Sequence, residues 1–223
     1  HELGRIVKEY NPDTDRSEQQ ALEALWILQG TFLPKTNPSE MKEILLAALG
    51  SSSPDLQRWA IRIAADQQTP LGPALVEIAS ASKHAEVISQ LASAARILGD
   101  RSLIEALARR SEFSTDPFIP LQLWWALESL ISHHPVQARE LLSYSGFWDT
   151  PLFESVLSER VGRRYMAERS PESLKMCAQL LTRAKGSKHL ETLIRGMVRA
   201  LEGTSLDPVP PELDAALAYL WKN

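Results

Sequence analysis

Pro54-Asp55-Leu56-Gln57-Arg58-Trp59-Ala60-Ile61-Arg62-Ile63-Ala64-Ala65 carries apolar side chains at Leu56, Trp59, Ala60, Ile63 and Ala64. That i, i+3, i+4, i+7, i+8 spacing draws one apolar stripe along a helix of 3.6 residues per turn. The preceding stretch repeats the pattern in Met41, Ile44, Leu45, Ala48 and Leu49, and the following one in Leu71, Ala74, Leu75, Ile78 and Ala79. Isolated helices of ~12 residues are marginal in water and must bury such a stripe against a neighbour. A long succession of them with no strand-like segment between predicts stacked helical hairpins.

Working outward, the punctuation predicts about twelve helices. Ser17 opens one that Gly30 ends, Pro38-Ser39-Glu40 opens one that Gly50 ends, Ser53-Pro54-Asp55 opens a third and Thr69-Pro70 a fourth. The next run from Ala85 to Leu98 before Gly99, from Ser102 to Arg110 behind an Asp100 cap, and from Asp116-Pro117 to His133-His134-Pro135. Val136–Tyr144, Pro151–Arg169, Pro171–Ala184, Ser187–Glu202 and Pro211–Lys222 complete the set. Stripe origins lie 15 to 21 residues apart, so one hairpin takes about 30 to 40 residues, the size of HEAT or armadillo repeats rather than of a four-helix bundle. The expected fold class is all-α, an α-solenoid of about six helical hairpins wound as a right-handed superhelix. It forms one domain over 1–223, with 1–16 a leader or incomplete repeat and the Pro-rich 207–211 a linker to the last helix.

Composition bounds the chemistry. The 223 residues are 44% hydrophobic and 23% charged, ordinary globular material. Apolar runs such as Ile44 to Leu49 are far shorter than the ~20 residues of a membrane span. Residues 1–150 carry 13 Lys+Arg against 19 Asp+Glu, whereas 151–223 carry 11 against 9. Neither part has the dense basic stripe that phosphate neutralisation needs, so nucleic acid is not an expected partner. The chain opens on His1-Glu2-Leu3-Gly4-Arg5, neither an initiating Met nor a signal peptide, and reads as a piece of a longer protein.

No residue set announces a reaction. Cys177 shares a stripe with Leu174, Ala178 and Leu181 and reads as a buried inert thiol. His133 and His134 point about 100° apart on a helix with no carboxylate or third His one turn away, which reads as a polar helix end and not a metal site. His84 and His189 stand isolated. Glu9, Asp13 and Asp15, and likewise Glu40 and Glu43, read as solvated charge near helix starts. Trp26, Trp59, Trp148 and Trp221 read as structural, and Trp124 lines up with Leu127 and Ile131 near the core.

Two features suggest binding. Trp125 shares a side of its helix with Leu121, Glu128 and Ser129; beside Asp116 and Glu128 it is either packed between repeats or exposed to anchor a sugar ring or a protein partner. Arg160 and Arg164, spaced i, i+4 among Glu159, Arg163, Glu168 and Arg169, form either a solvated face of ion pairs or a site for an anionic surface. Asp116, Trp125, Glu128, Arg160 and Arg164 are the candidate binding surface, with no catalytic and no metal residue assigned.

Pro54-Asp55-Leu56-Gln57-Arg58-Trp59-Ala60 resembles a HEAT element, with Gln57 where Arg is usual. Further strings carry a closer likeness: Ala24-Leu25-Trp26-Ile27-Leu28-Gln29-Gly30, Ile97-Leu98-Gly99-Asp100, Asp116-Pro117-Phe118-Ile119-Pro120-Leu121-Gln122-Leu123-Trp124-Trp125-Ala126-Leu127-Glu128 and Arg163-Arg164-Tyr165. Over nearly the whole chain they are similar to the HEAT-repeat region of planctomycete-type (PVC-group) haem-binding, dehydrogenase-like proteins. Phe118 stands where many members have His. The resemblance implies a periplasmic or exported parent in which this region lies between a PQQ sugar-dehydrogenase-like propeller and a Cys-x-x-Cys-His haem c domain. Haem c and PQQ would belong to the parent and not to this segment, since Cys177 is the chain's single cysteine and Ala178 follows it. The expected function is a non-catalytic scaffold that binds protein domains of the same polypeptide; the alternative is a carbohydrate-binding or substrate-shell segment of the neighbouring oxidoreductase.

Overall fold

The computed structural model describes residues 2–13, 15–32, 37–184 and 186–222, which form fourteen α-helices and no strand. They are α1 (Glu2–Lys8), α2 (Asp15–Ile27), α3 (Pro38–Leu49), α4 (Pro54–Asp66), α5 (Gly72–Ala81), α6 (Ala85–Leu98) and α7 (Arg101–Ala108). There follow α8 (Ile119–His133), α9 (Pro135–Ser143), α10 (Ser145–Trp148), α11 (Ser158–Glu168), α12 (Pro171–Arg183), α13 (Gly186–Ala200) and α14 (Pro211–Lys222). No described helix is long and apolar enough to cross a membrane. The expected all-α class is what the chain adopts. Two short helices, α1 and α10, go beyond the expected set, and π-helical turns at Leu28–Phe32 and Phe153–Leu157 interrupt stretches expected to be plain α-helix. The side chains of Asp15 and Trp221, for which roles were expected, lie outside the described residues.

Local chemistry sets the helix ends. The Ser53 hydroxyl accepts the Leu56 N–H at 3.1 Å, and Asp100 Oδ1 accepts the N–H groups of Ser102 and Leu103 at 2.9 and 3.1 Å. Asp116 Oδ1 takes those of Phe118 and Ile119, both at 2.8 Å, and Ser170 Oγ that of Ser173 at 3.1 Å. Proline follows immediately at Pro54 and Pro171, where a missing N–H leaves nothing unpaired. Gly99 ends α6 in the left-handed region (φ 61°), and a side chain there would begin 2.5 Å from His134 Nε2. Glycine answers both demands at that position.

The contacts divide the chain into two compact units, one ending at Pro135 and the other beginning at Val136. In the first unit alternate helices touch. One row runs α1, α3, α5, α7 and the other α2, α4, α6, α8, while α1 with α2, α3 with α4, α5 with α6 and α7 with α8 pair across the rows. The stripes read from sequence face inward: Met41, Ile44, Leu45, Ala48 and Leu49 of α3, Leu56, Ala60, Ile63 and Ala64 of α4, and Leu75 and Ala79 of α5 are buried. Burying one such Leu or Ile side chain stabilises by about 1.5–3 kcal/mol. Trp59 departs from that stripe and is only half-buried, because its ring meets the edge of Trp26 on α2 at 5.3 Å. Between α7 and α8 the buried Arg110 guanidinium donates to the backbone carbonyls of Ala79 and Ser82 at the end of α5, pairs with Glu112 at 2.7 Å and lies 5.2 Å from the Phe113 ring centre. One side chain thus closes a helix terminus 31 residues away.

In the second unit α11 packs on α12 and α13, and α12 on α13 and α14. Phe147, Trp148 and Phe153 form an aromatic plug with ring centres 5.0 and 5.1 Å apart, and Trp148 Nε1 donates to the Leu142 carbonyl at 2.8 Å. The crossing of α11 and α13 is close enough to require glycine on both sides. A Cβ on Gly162 would fall 2.6 Å from the Leu193 carbonyl oxygen, and one on Gly196 would collide with the Glu159 carbonyl oxygen. Backbone cannot yield as a side chain would.

Gly196→Ala is therefore expected to weaken folding by about 3 kcal/mol, forcing α11 and α13 apart. Gly30→Ala, whose Cβ would meet nothing within 4 Å, should leave the transition unchanged. Urea titration followed by circular dichroism checks both.

Candidate functional site

Helices α6 and α8 lie side by side in the second row of the first unit, and their outward edges frame a groove of about 380 Å³. Ala92, Ser93, Arg96 and Ile97 form one wall and Gln122, Trp125 and Ser129 the other. The burial pattern dictates this outcome. On α8 the core takes Leu123, Trp124, Ala126, Leu127, Leu130 and Ile131, which turns the next side chain, Trp125, outward. Trp125 is 42% exposed and Ile97 49%. Of the two sequence readings of Trp125, the structure has the exposed one, with its ring lining a groove, and Trp124 is buried as expected.

Hydrogen bonds hold two polar groups of the groove, one from outside it and one across it. Ser89 Oγ donates to Gln122 Oε1 at 2.7 Å, which occupies the amide oxygen and leaves the amide N–H groups as donors. Ser129 Oγ contacts the Arg96 carbonyl at 3.4 Å. Both contacts join residues 33 apart, as does the Trp26 to Trp59 ring contact two helices earlier in the row. Trp26 is itself 44% exposed, its ring leaning on Trp59 at the surface instead of entering the core. Arg62 stacks over Trp59 with its guanidinium carbon 5.3 Å from the ring centre.

The other candidate residues are dispersed. Asp116 caps α8 through the two N–H bonds given above, so its carboxylate has a structural task. Glu128, half-buried, follows Trp125 by one turn of α8. Arg160 and Arg164 belong to the second unit, on α11; Arg160 is exposed, and Arg164 pairs with Glu168 at 2.8 Å. The next residue, Tyr165, is buried, and burial pushes its phenol up to about 12.

Of the groups given no binding role, His133 serves its helix end through Nδ1, 3.0 Å from the Ser129 carbonyl. His189 is the surprise: 5% exposed, it sets its ring edge-on to Trp148 at 5.8 Å. Neither ring nitrogen makes a hydrogen bond, although Nε2 is 3.4 Å from Glu154 Oε1. Glu154 also binds Lys188 Nζ at 3.0 Å, and that hydrogen bond lowers its pKa below the usual carboxylate value. No local sequence signal marks His189, since its burial comes from the plug around Trp148. A larger hollow of about 630 Å³, lined by Pro38, Lys42, Gln67, Thr69 and Pro70 among others, has no aromatic wall. Among the described residues no group of three His, Cys, Asp or Glu converges as a metal set.

Cys177 is fully buried, and burial raises its thiol to about 12. A lone enclosed thiol followed by Ala178 does not fit covalent haem attachment, which needs two thiols and an adjacent His. The folded protein is expected to resist iodoacetamide near pH 8, because almost no thiolate exists below a value of about 12, and to take one equivalent once unfolded in guanidinium; intact mass spectrometry reads the difference. No family model, no curated protein and no solved structure matches this chain.

Proposed function

We propose that this chain is a non-catalytic interaction module, an α-solenoid of HEAT-like hairpins that binds protein through the outward face of its second helix row. The observation that carries the proposal is the exposed Trp125 beside Ile97 in the groove between α6 and α8. Trp and Arg are the residues that dominate protein-binding hot spots, and a half-exposed indole on a rigid helix loses little conformational freedom on binding. Supporting the solenoid are the two rows of alternating helices and the recurrence of contacts at a spacing of 33 residues. The resemblance carried by Asp116-Pro117 and Trp124-Trp125-Ala126-Leu127-Glu128 extends the proposal to a larger exported, haem-binding, sugar-dehydrogenase-like parent. Its partner would then be a domain of the same polypeptide, with haem c and PQQ held by those other domains.

A second reading, carbohydrate binding, is favoured by one feature. The groove combines an indole face with the amide of Gln122, the hydroxyls of Ser93 and Ser129 and the guanidinium of Arg96, the mixture a sugar ring uses. Titration with neutral oligosaccharides, followed by tryptophan fluorescence, separates the two. The protein-binding module is expected to give no saturable change up to about 1 mM, where binding free energy is only about 4 kcal/mol. Saturation lost in Trp125→Ala would favour the sugar instead.

A further inference from the structure

The cations along the outward face of the second row differ in one respect. On α4, Arg58 pairs with Asp55 at 2.8 Å, and Arg62 lies over Trp59 with Asp66 at 3.8 Å. Their charges are met within their own helix. Arg96 of α6 makes no ion pair with any described residue, yet its side chain lines the groove with Trp125 and Ile97. Across from it the Gln122 amide oxygen accepts the Ser89 hydroxyl, and its N–H groups stand as further donors. The groove therefore combines a full positive charge, spare donors and two exposed apolar surfaces.

We infer that this groove receives an acidic peptide segment of a partner protein, in which an Asp or Glu side chain binds Arg96 and a neighbouring aromatic or aliphatic side chain packs on Trp125 and Ile97. The inference rests on the interaction-module reading and specifies its partner. Charge complementarity selects the carboxylate, because a guanidinium offers a planar fork of donors that matches its two oxygens and no described residue forms an ion pair with it. The apolar contact selects a peptide over a small free acid. Ile97, 49% exposed, adds an aliphatic surface beside the indole, and the Trp26, Trp59 and Arg62 cluster continues exposed ring surface along the same row on α2 and α4. A chain can span such a row, whereas a single ring fills only the groove.

A phage-displayed library of random peptides, panned on the full chain, tests this. Enriched peptides are expected to place Asp or Glu next to an aromatic or aliphatic residue. A synthetic peptide of the consensus sequence should bind at least about tenfold more weakly to Arg96→Glu and to Trp125→Ala, and more weakly as salt rises. Arg96 is exposed and forms no ion pair with a described residue, so Arg96→Glu should retain the circular dichroism spectrum of the parent chain, and Arg96→Gln should give an intermediate affinity. Peptides that depend on Trp125 but bind Arg96→Glu undiminished would overturn the acidic assignment while leaving the interaction module standing. No peptide dependent on Trp125 would overturn both. Glucuronate binding that needs Arg96, with no peptide enriched, would give the groove to an acidic sugar and overturn the inference.

Discussion

The described helices of the first unit are short, and they lay their apolar stripes against the alternate helices of their own row and against a helix of the other row. The contact of alternate helices, α2 with α4, α4 with α6 and α6 with α8, is the interaction on which the first unit depends. A helix of 8 to 15 residues, such as α7 or α8, has little stability of its own, and the caps at Ser53, Asp100 and Asp116 tie off its free N–H groups without providing a core. Row packing also decides what is left outside. A middle helix such as α6 touches α4, α5, α7 and α8, so one narrow edge faces solvent, and on that edge stand Arg96 and Ile97.

Much of this is local and was legible. Period 3.6 located the buried stripes of α3, α4 and α5, and the Ser, Asp and Pro signals located most helix starts, because a cap is chemistry between residues two or three apart. What escaped depends on residues far apart. Periodicity identified a stripe containing Trp59 but could not reveal that Trp26 would meet it from the next helix in the row. Nothing in the apolar spacing marks Gly162 or Gly196, and only the crossing of α11 and α13 gives their missing side chains a purpose. The π-helical turns at Leu28–Phe32 and Phe153–Leu157 have no signature in the apolar spacing at all.

The candidate site was legible to a similar depth. The offset of Trp125 from the core set of α8 marked it as the side chain that could reach solvent, and it does. Its companions came from another helix: Arg96 and Ile97 stand 29 and 28 residues earlier on α6 and carry no mark in the sequence until α6 and α8 lie together. Asp116, singled out for its charge near Trp125, spends its carboxylate on the start of α8. Capping and binding are hard to tell apart in a sequence, since both use Asp just before an apolar helix.

The spacing of 33 residues between partners in successive second-row helices is the feature from which the groove and the rows both follow. Nuclear Overhauser measurements on protein labelled at tryptophan and glutamine read it directly. Row packing predicts cross-peaks between the Trp26 and Trp59 rings, whose centres are 5.3 Å apart, and between the Gln122 side-chain amide and Ser89. Absence of both in a folded, helical sample would contradict it.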